Sequence, residues 1–243
     1  MKTIDYNDLI IIDNDCYNSG SFGIIRRCIY NNKEYALKEF KQKFYLAGKK
    51  RKLSSLSDIN QKGLLTPKFW VKKDNNTNRY LSDWCDGKNI DAYSDYEIQE
   101  KINILKKAKE QILIMHDEKI IHSDLIGSNI MVSPNQDTNI IDFDNSTFDN
   151  YKTIPRDAND FSIEFIKKYG IIKEIDIFLF NVLTFYIIND CSPHLVRRNI
   201  LADNLKYFDN PESKKVCNTH LLEHKTPSKD FLIDTIDETS FTR

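Results

Sequence analysis

Glycine and proline are scarce, at 7 and 6 in 243 residues, which excludes collagen-like repeats and Pro/Gly-rich disordered chains. Net charge is nearly absent too. The 35 basic side chains face 36 acidic ones, so the chain lacks the basic excess of a dedicated nucleic-acid binder, and no nucleic-acid partner is expected. No apolar run reaches the roughly 18–20 residues of a membrane span. The opening, Met1-Lys2 followed by Asp5, Asn7 and Asp8, has no apolar signal-peptide segment. A soluble, cytoplasmic globular protein without a membrane partner is therefore expected. Paired cysteines are also missing: Cys16, Cys28, Cys85, Cys191 and Cys217 are scattered and odd in number, as reduced thiols would be. Cys217, His220 and His224 have zinc-ligand chemistry, but a structural site needs a fourth ligand. Val216, Leu221 and Leu222 make the same stretch an amphipathic helix instead.

The chain that remains is 40% hydrophobic and 29% charged, of a size for one large domain or two small lobes sharing a core. Its first third reads as strands: residues 9–12, 24–30, 68–73 and 79–84, with turn signals at Asn18-Ser19-Gly20, Asn31-Asn32 and Asp74-Asn75-Asn76-Thr77-Asn78. Residues 43–58 suit a helix whose run Lys49-Lys50-Arg51-Lys52 is a solvated face. Beyond Asp86-Gly87 the texture becomes helical. Ile98, Ile102, Leu105, Ala108, Ile112 and Met115 recur at helical spacing, and residues 175–188 form a second apolar helix. Short strands at residues 130–132 and 139–143 lie between them.

Four motifs carry chemistry. Gly20-Ser21-Phe22-Gly23 joins two strand-like runs, where glycines let backbone N–H groups approach phosphate oxygens. Lys38 ends the apolar strand Tyr35-Ala36-Leu37, where an inward-pointing ammonium needs an anion. His122-Ser123-Asp124-Leu125-Ile126-Gly127-Ser128-Asn129 places a carboxylate and an amide on one loop. Asp142-Phe143-Asp144 then follows a short apolar strand with further carboxylates. Hard oxygen donors of this kind suit Mg²⁺ on nucleotide phosphates, with Asp124 left as a base.

In this order the motifs resemble those of eukaryotic-type protein kinases. Asn18 to Ile25 resembles the Gly-rich loop, Tyr35-Ala36-Leu37-Lys38 the V-A-I-K strand, and Asp83-Trp84-Cys85 the hinge with Ser82 as gatekeeper. His122 to Asn129 resembles H-R-D-L-x-x-x-N, and Asp142-Phe143-Asp144 stands for D-F-G. Ser162-Ile163-Glu164 resembles A-P-E, and Asp176 opens the following helix. Lys214 of Pro211-Glu212-Ser213-Lys214 would pair with Glu164. The resemblance implies an α+β, two-lobed protein-kinase-like fold over residues 1–243. Its β-rich N-lobe would span 1–81, a hinge 82–88, and an α-rich C-lobe with a C-terminal tail 89–243. It implies ATP and Mg²⁺ as cofactors and a protein hydroxyl as substrate. Lys38 would hold the α and β phosphates, and the backbone of Gly20, Ser21, Phe22 and Gly23 would cover them. Ile25, Ala36 and Met131 would sandwich adenine, and the backbones of Asp83 and Cys85 would hydrogen-bond it. Asn129 and Asp142 would bind Mg²⁺, and Asp124 would accept the proton of the attacking hydroxyl.

Four departures stand out. No glutamate lies between Glu39 and Glu97, so the helix partner of the lysine is missing, with Lys49 near its place and Glu39 or Asp58 as substitutes. Ser123 replaces the arginine that would dock a phosphorylated Thr153. Ile126 replaces a lysine, and Asp144 replaces a glycine, which would limit backbone freedom and add a carboxylate near the metal. The leading expectation is a Ser/Thr protein kinase, since residues 124–129 lack the arginine-containing pattern of tyrosine kinases. A small-molecule phosphotransferase similar to aminoglycoside or choline kinases, favoured by Ile126 and Asp144, stays open. So does a nucleotide-binding pseudokinase scaffold, favoured by the missing glutamate.

Overall fold

The computed structural model describes residues 1–12, 18–19, 23–41, 49–93, 96–148 and 173–189. They divide between two units, Met1–Asp86 with Ile141–Asp144, and Gly87–Ile140 with Asn145–Arg243.

The first unit is built on strands β1 (Lys2–Asp5), β2 (Ile10–Ile11), β3 (Asn18–Ser19), β4 (Gly23–Tyr30), β5 (Lys33–Phe40), β6 (Pro67–Lys73) and β7 (Asn76–Asp83). They form one sheet in the order β1-β6-β7-β5-β4-β2, with β3 beside β4. Two hairpins set its register. Asn31-Asn32 joins β4 to β5 and Asp74-Asn75 joins β6 to β7, with φ of 48° and 59° in the first turn and 48° and 60° in the second. Asn and Asp tolerate this left-handed region better than most side chains, which suits them to two-residue turns. Strand alternation then sorts the side chains. Leu37, Leu81, Cys28 and Tyr35 face one side and join Ile4, Leu9 and Val71 in a buried cluster. Ile25, Ala36, Lys38, Tyr80 and Ser82 share the opposite side. A short helix α1 (Lys50–Ser55) buries Leu53, with Leu56 buried just beyond its end, while Trp70 Nε1 donates to Ser54 Oγ at 2.9 Å.

Some boundaries differ from expectation. The strand expected at 9–12 shortens to Ile10–Ile11, because Leu9 closes a 3-10 turn over Tyr6–Asp8 that is capped by Asp5. Asn18–Ser19, expected in a turn, pairs with Ile24 and Ile25 as a strand. Of the helix expected at 43–58, residues 50–55 are α-helical and 56–58 form a 3-10 turn, and 42–48 lie outside the described residues. β1 was not expected: it pairs in parallel with β6 and buries only Ile4, too little for an alternating pattern.

The second unit holds β8 (Lys88–Asn89), the helix α2 (Ile98–Asp117), β9 (Ile120–Ile121), β10 (Ile130–Val132), β11 (Thr138–Ile140), β12 (Thr147–Phe148) and the helix α3 (Glu174–Asn189). Ile102, Leu105, Ala108, Ile112 and Met115 of α2 are buried, as their spacing requires. The strand expected at 139–143 stops at Ile140, and residues 143–145 curl into a 3-10 turn. No helix among the described residues is long and apolar enough to cross a membrane.

Gly87 marks a close approach. An added Cβ would sit 2.2 Å from the Val132 carbonyl oxygen and 2.8 Å from its carbon, both backbone atoms that cannot swing aside. Gly87→Ala is therefore expected to destabilise the protein by about 1–3 kcal/mol, read as a lower urea midpoint at unchanged slope.

Candidate active site

The sheet register explains where Lys38 points. Ile25 lies directly opposite it on β4 and Tyr80 directly opposite on β7, so all three side chains share one face. Ala36, two residues before, sits on the same face opposite Ser82. Gly23 stands opposite Phe40, and a Cβ there would meet the Glu39 carbonyl oxygen at 2.9 Å. Gly20, Ser21 and Phe22 lie outside the described residues. Trp84 N–H donates to the Glu34 carbonyl at 3.4 Å, turning the central peptide of the expected hinge toward the sheet. Asp83 on one side of it pairs with Lys33 at 2.6 Å, and Cys85 on the other is half-buried.

Lys38 is only 7% exposed and still finds two carboxylates. Its Nζ lies 2.6 Å from Asp142 Oδ1 and 2.7 Å from Asp144 Oδ2. Burial alone would push this ammonium down, but the two carboxylates outweigh it and hold the lysine above its ordinary range. The two expected substitutes are thereby corrected. Glu39 points to the other face of β5 and pairs with Arg79, while Asp58 accepts from Ser57 Oγ at 3.2 Å. Asp144 brings a further carboxylate to the lysine that Asp142 holds. It is not among the residues with positive φ, so no glycine is needed there, and its carboxylate is buried against Lys38. Asp142 does have φ of 60°, a strained position of the kind that collects at functional sites. Tyr80, unforeseen in the sequence, donates from Oη to Asp144 Oδ1 at 3.0 Å.

The second unit holds the loop that follows β9. β9 pairs with β12, and the chain then passes His122 and Ser123, both fully buried, to Asp124. Ser123 has φ of 65°. A left-handed residue here is held from outside, because the His122 and Ser123 N–H groups donate to Asp176 Oδ2 and Oδ1 at 2.8 and 2.7 Å. His116 Nε2 lies 3.0 Å from the same Asp176 Oδ2. Asn129 turns back on the loop. Its Nδ2 donates to the Asp124 carbonyl at 2.8 Å, with a long contact of 3.5 Å to Oδ2. A second amide, Asn145 Nδ2, reaches Asp124 Oδ2 at 3.4 Å. Only its position after Asp142-Phe143-Asp144 would have pointed to it. Ile126 is 38% exposed where the resemblance implies a lysine. Met131 is buried in β10, between Asn89 of β8 and Asn139 of β11.

A carboxylate reached by the Asn129 and Asn145 amides in one unit, and a buried lysine paired with carboxylates in the other, are groups of the kind phosphoryl transfer uses. A family model described as a protein kinase domain matches residues 18–238. The chain belongs to the protein kinase family. No curated protein matches it. The kinase has the α+β, two-lobed fold implied by its motifs. Thr153, Ser162-Ile163-Glu164, Pro211 to Lys214, the Cys217-His220-His224 group and the tail 226–243 lie outside the described residues.

Helix α1 brings the kinase an odd cation. Lys52 is pushed down to about 8, first by burial and then by the charge of Lys49, against an opposing pull from Asp144. Below pH 8 folded and unfolded chains both carry the proton, and the folded state bears the full cost of the half-buried charge. Between 8 and the ordinary 10.5 only the unfolded chain keeps it, so stability rises with pH through that window. Lys52→Met is expected to stabilise the kinase at pH 7 by roughly 1–3 kcal/mol. Urea unfolding at pH 7 and pH 10 should show the advantage shrinking.

Proposed function

We propose that the kinase transfers the γ-phosphate of Mg-ATP to a serine or threonine hydroxyl of a protein. The observation that carries this reading is the buried contact of Lys38 with Asp142 at 2.6 Å. The Asp142 carboxylate is also a hard oxygen donor of the kind a divalent cation takes. The donors suit Mg²⁺: the Asp142 carboxylate, and the Oδ1 of Asn129, whose Nδ2 is the donor in its hydrogen bonds. Among the described residues no group of three or more His, Cys, Asp or Glu is placed to hold a metal alone. The cation would therefore be shared with phosphate oxygens, as Mg²⁺ commonly is. When bound, it supplies neutralisation of phosphate charge.

The chain's own residues supply the rest. Lys38 would hold the α and β phosphates. Ile25, Ala36 and Met131 would contact the adenine, and the Asp83 carbonyl and Cys85 N–H would hydrogen-bond it, the Trp84 N–H between them being used by Glu34. Asp124 would orient the hydroxyl and accept its proton as the oxygen bonds to the γ-phosphorus and the bond to the departing ADP oxygen breaks. Asn129 and Asn145 would hold that carboxylate.

The test is incubation of purified protein with Mg²⁺, γ-labelled ATP and a generic basic protein. Label in that protein, or in the kinase itself, is expected. Nucleotide binding with no transfer to any protein would overturn the reading. The exposed apolar Ile126 in the loop favours a second one, and label on an amino sugar or alcohol instead of protein would establish it.

A further inference from the structure

We infer that Asp144 is the positioning residue for Lys38, replacing the glutamate that the first-lobe helix of this chain lacks. The inference rests on the nucleotide-binding role proposed for Lys38. In protein kinases the lysine must be held by a helix carboxylate before transfer proceeds. Here α1 has no such group to offer: it reads Lys50-Arg51-Lys52-Leu53-Ser54-Ser55, behind Lys49, and no glutamate occurs anywhere from 40 to 96. The carboxylate comes from the other side of the pair. Asp144 is 4% exposed, and both its oxygens are engaged, Oδ2 by Lys38 at 2.7 Å and Oδ1 by Tyr80 Oη at 3.0 Å.

The arrangement is over-determined by packing. Tyr80 is the register neighbour of Lys38, and its ring is braced edge-on by Trp70 at 6.2 Å and at a tilt by Phe40 at 5.8 Å. A carboxylate this buried is expensive unless paired and hydrogen-bonded, and Lys38 and Tyr80 supply both. Asp142 also holds Lys38, but it is the residue expected to turn to Mg²⁺. Asp144 keeps the lysine aimed when Asp142 leaves. The polarity of the helix is inverted to match, since the charges of Lys49 and Lys52 both act favourably on Asp144. Two oddities of the sequence, the missing glutamate and the aspartate in place of glycine, become one exchange. It also places the lysine clamp on the sheet and the Asp142-Phe143-Asp144 segment, so moving α1 would not break it.

The test compares wild type with Asp144→Asn, Asp144→Gly, and Asp144→Gly combined with either Lys52→Glu or Lys52→Gln. It reads the Kd for Mg-ATP, KM for ATP, kcat and melting temperature. Both single variants are expected to raise Kd and KM about tenfold and to lower kcat/KM about a hundredfold. Lys52→Glu, which returns a carboxylate to the helix, should recover at least tenfold, and Lys52→Gln should not. Asp144→Gly with constants within twofold of wild type would overturn the inference, as would equal recovery by Glu and Gln, which marks a packing role. If the Asp144 variants do not fold, Tyr80→Phe decides. It withdraws one donor from Asp144 and should raise Kd about threefold, and an unchanged Kd would overturn the inference. Wild type that binds Mg-ATP without transferring it fails the kinase reading alone, and the Kd series still judges Asp144.

Discussion

Asp124→Ala is expected to lower kcat about 10³- to 10⁴-fold while leaving Mg-ATP affinity within about threefold of wild type. The separation of the two effects follows from how Asn129 is anchored. Its short hydrogen bond, at 2.8 Å, goes to the Asp124 main-chain carbonyl, which alanine retains, and only the long 3.5 Å contact goes to the carboxylate. Truncation would therefore remove the proposed proton acceptor and leave the proposed metal ligand in place. Lys38 and Asp142 are untouched, so the contacts proposed for them with phosphate would persist. Single-turnover transfer of label, beside equilibrium binding of Mg-ATP, measures both quantities. A loss below tenfold would remove Asp124 from the role of base. A parallel loss of binding would show that the carboxylate supports the nucleotide rather than the hydroxyl.

Asp176→Ala is expected to cost about 3–5 kcal/mol of stability. Asp176 is fully buried at the start of α3, and its two oxygens take the N–H groups of His122 and Ser123 at 2.8 and 2.7 Å. Alanine would leave both buried donors without this acceptor, next to a residue already held at φ of 65°. Asp176→Asn keeps the shape but turns one acceptor into a donor facing a donor, and should recover less than half of the loss. Urea midpoints at constant slope check the prediction. Activity should fall in both variants, because the same two peptides place Asp124.

Much of this was legible from spacing alone, for stated reasons. The face shared by Ile25, Ala36 and Lys38 follows from strand alternation once the hairpin register is given, and the buried stripe of α2 follows from helical periodicity. What stayed hidden were contacts between segments distant in sequence. Glu39 neighbours Lys38 in the chain, yet alternation sends it to the opposite face, toward Arg79. Asp144, far along the chain, pairs with Lys38 because the Asp142-Phe143-Asp144 segment folds onto the sheet, and no local pattern encodes that. Asn145 was invisible for a similar reason: an amide has no motif when its only distinction is the carboxylate it reaches. β1 was missed because one buried Ile4 carries no period.

The turn at Asn31-Asn32 has a consequence far from itself. Strand side chains alternate with a period of two, so a slip of one residue would carry Lys38 into the apolar cluster and Leu37 out to the face that Ile25 and Ala36 share. The turn that joins β4 to β5 is this pair of left-handed asparagines, closed by Tyr30 opposite Lys33. Lys38 sits five residues further along β5, roughly 17 Å away at strand rise. The asparagines act as a gauge block: they stand at the far end of the hairpin from Lys38, yet they help decide which way it faces.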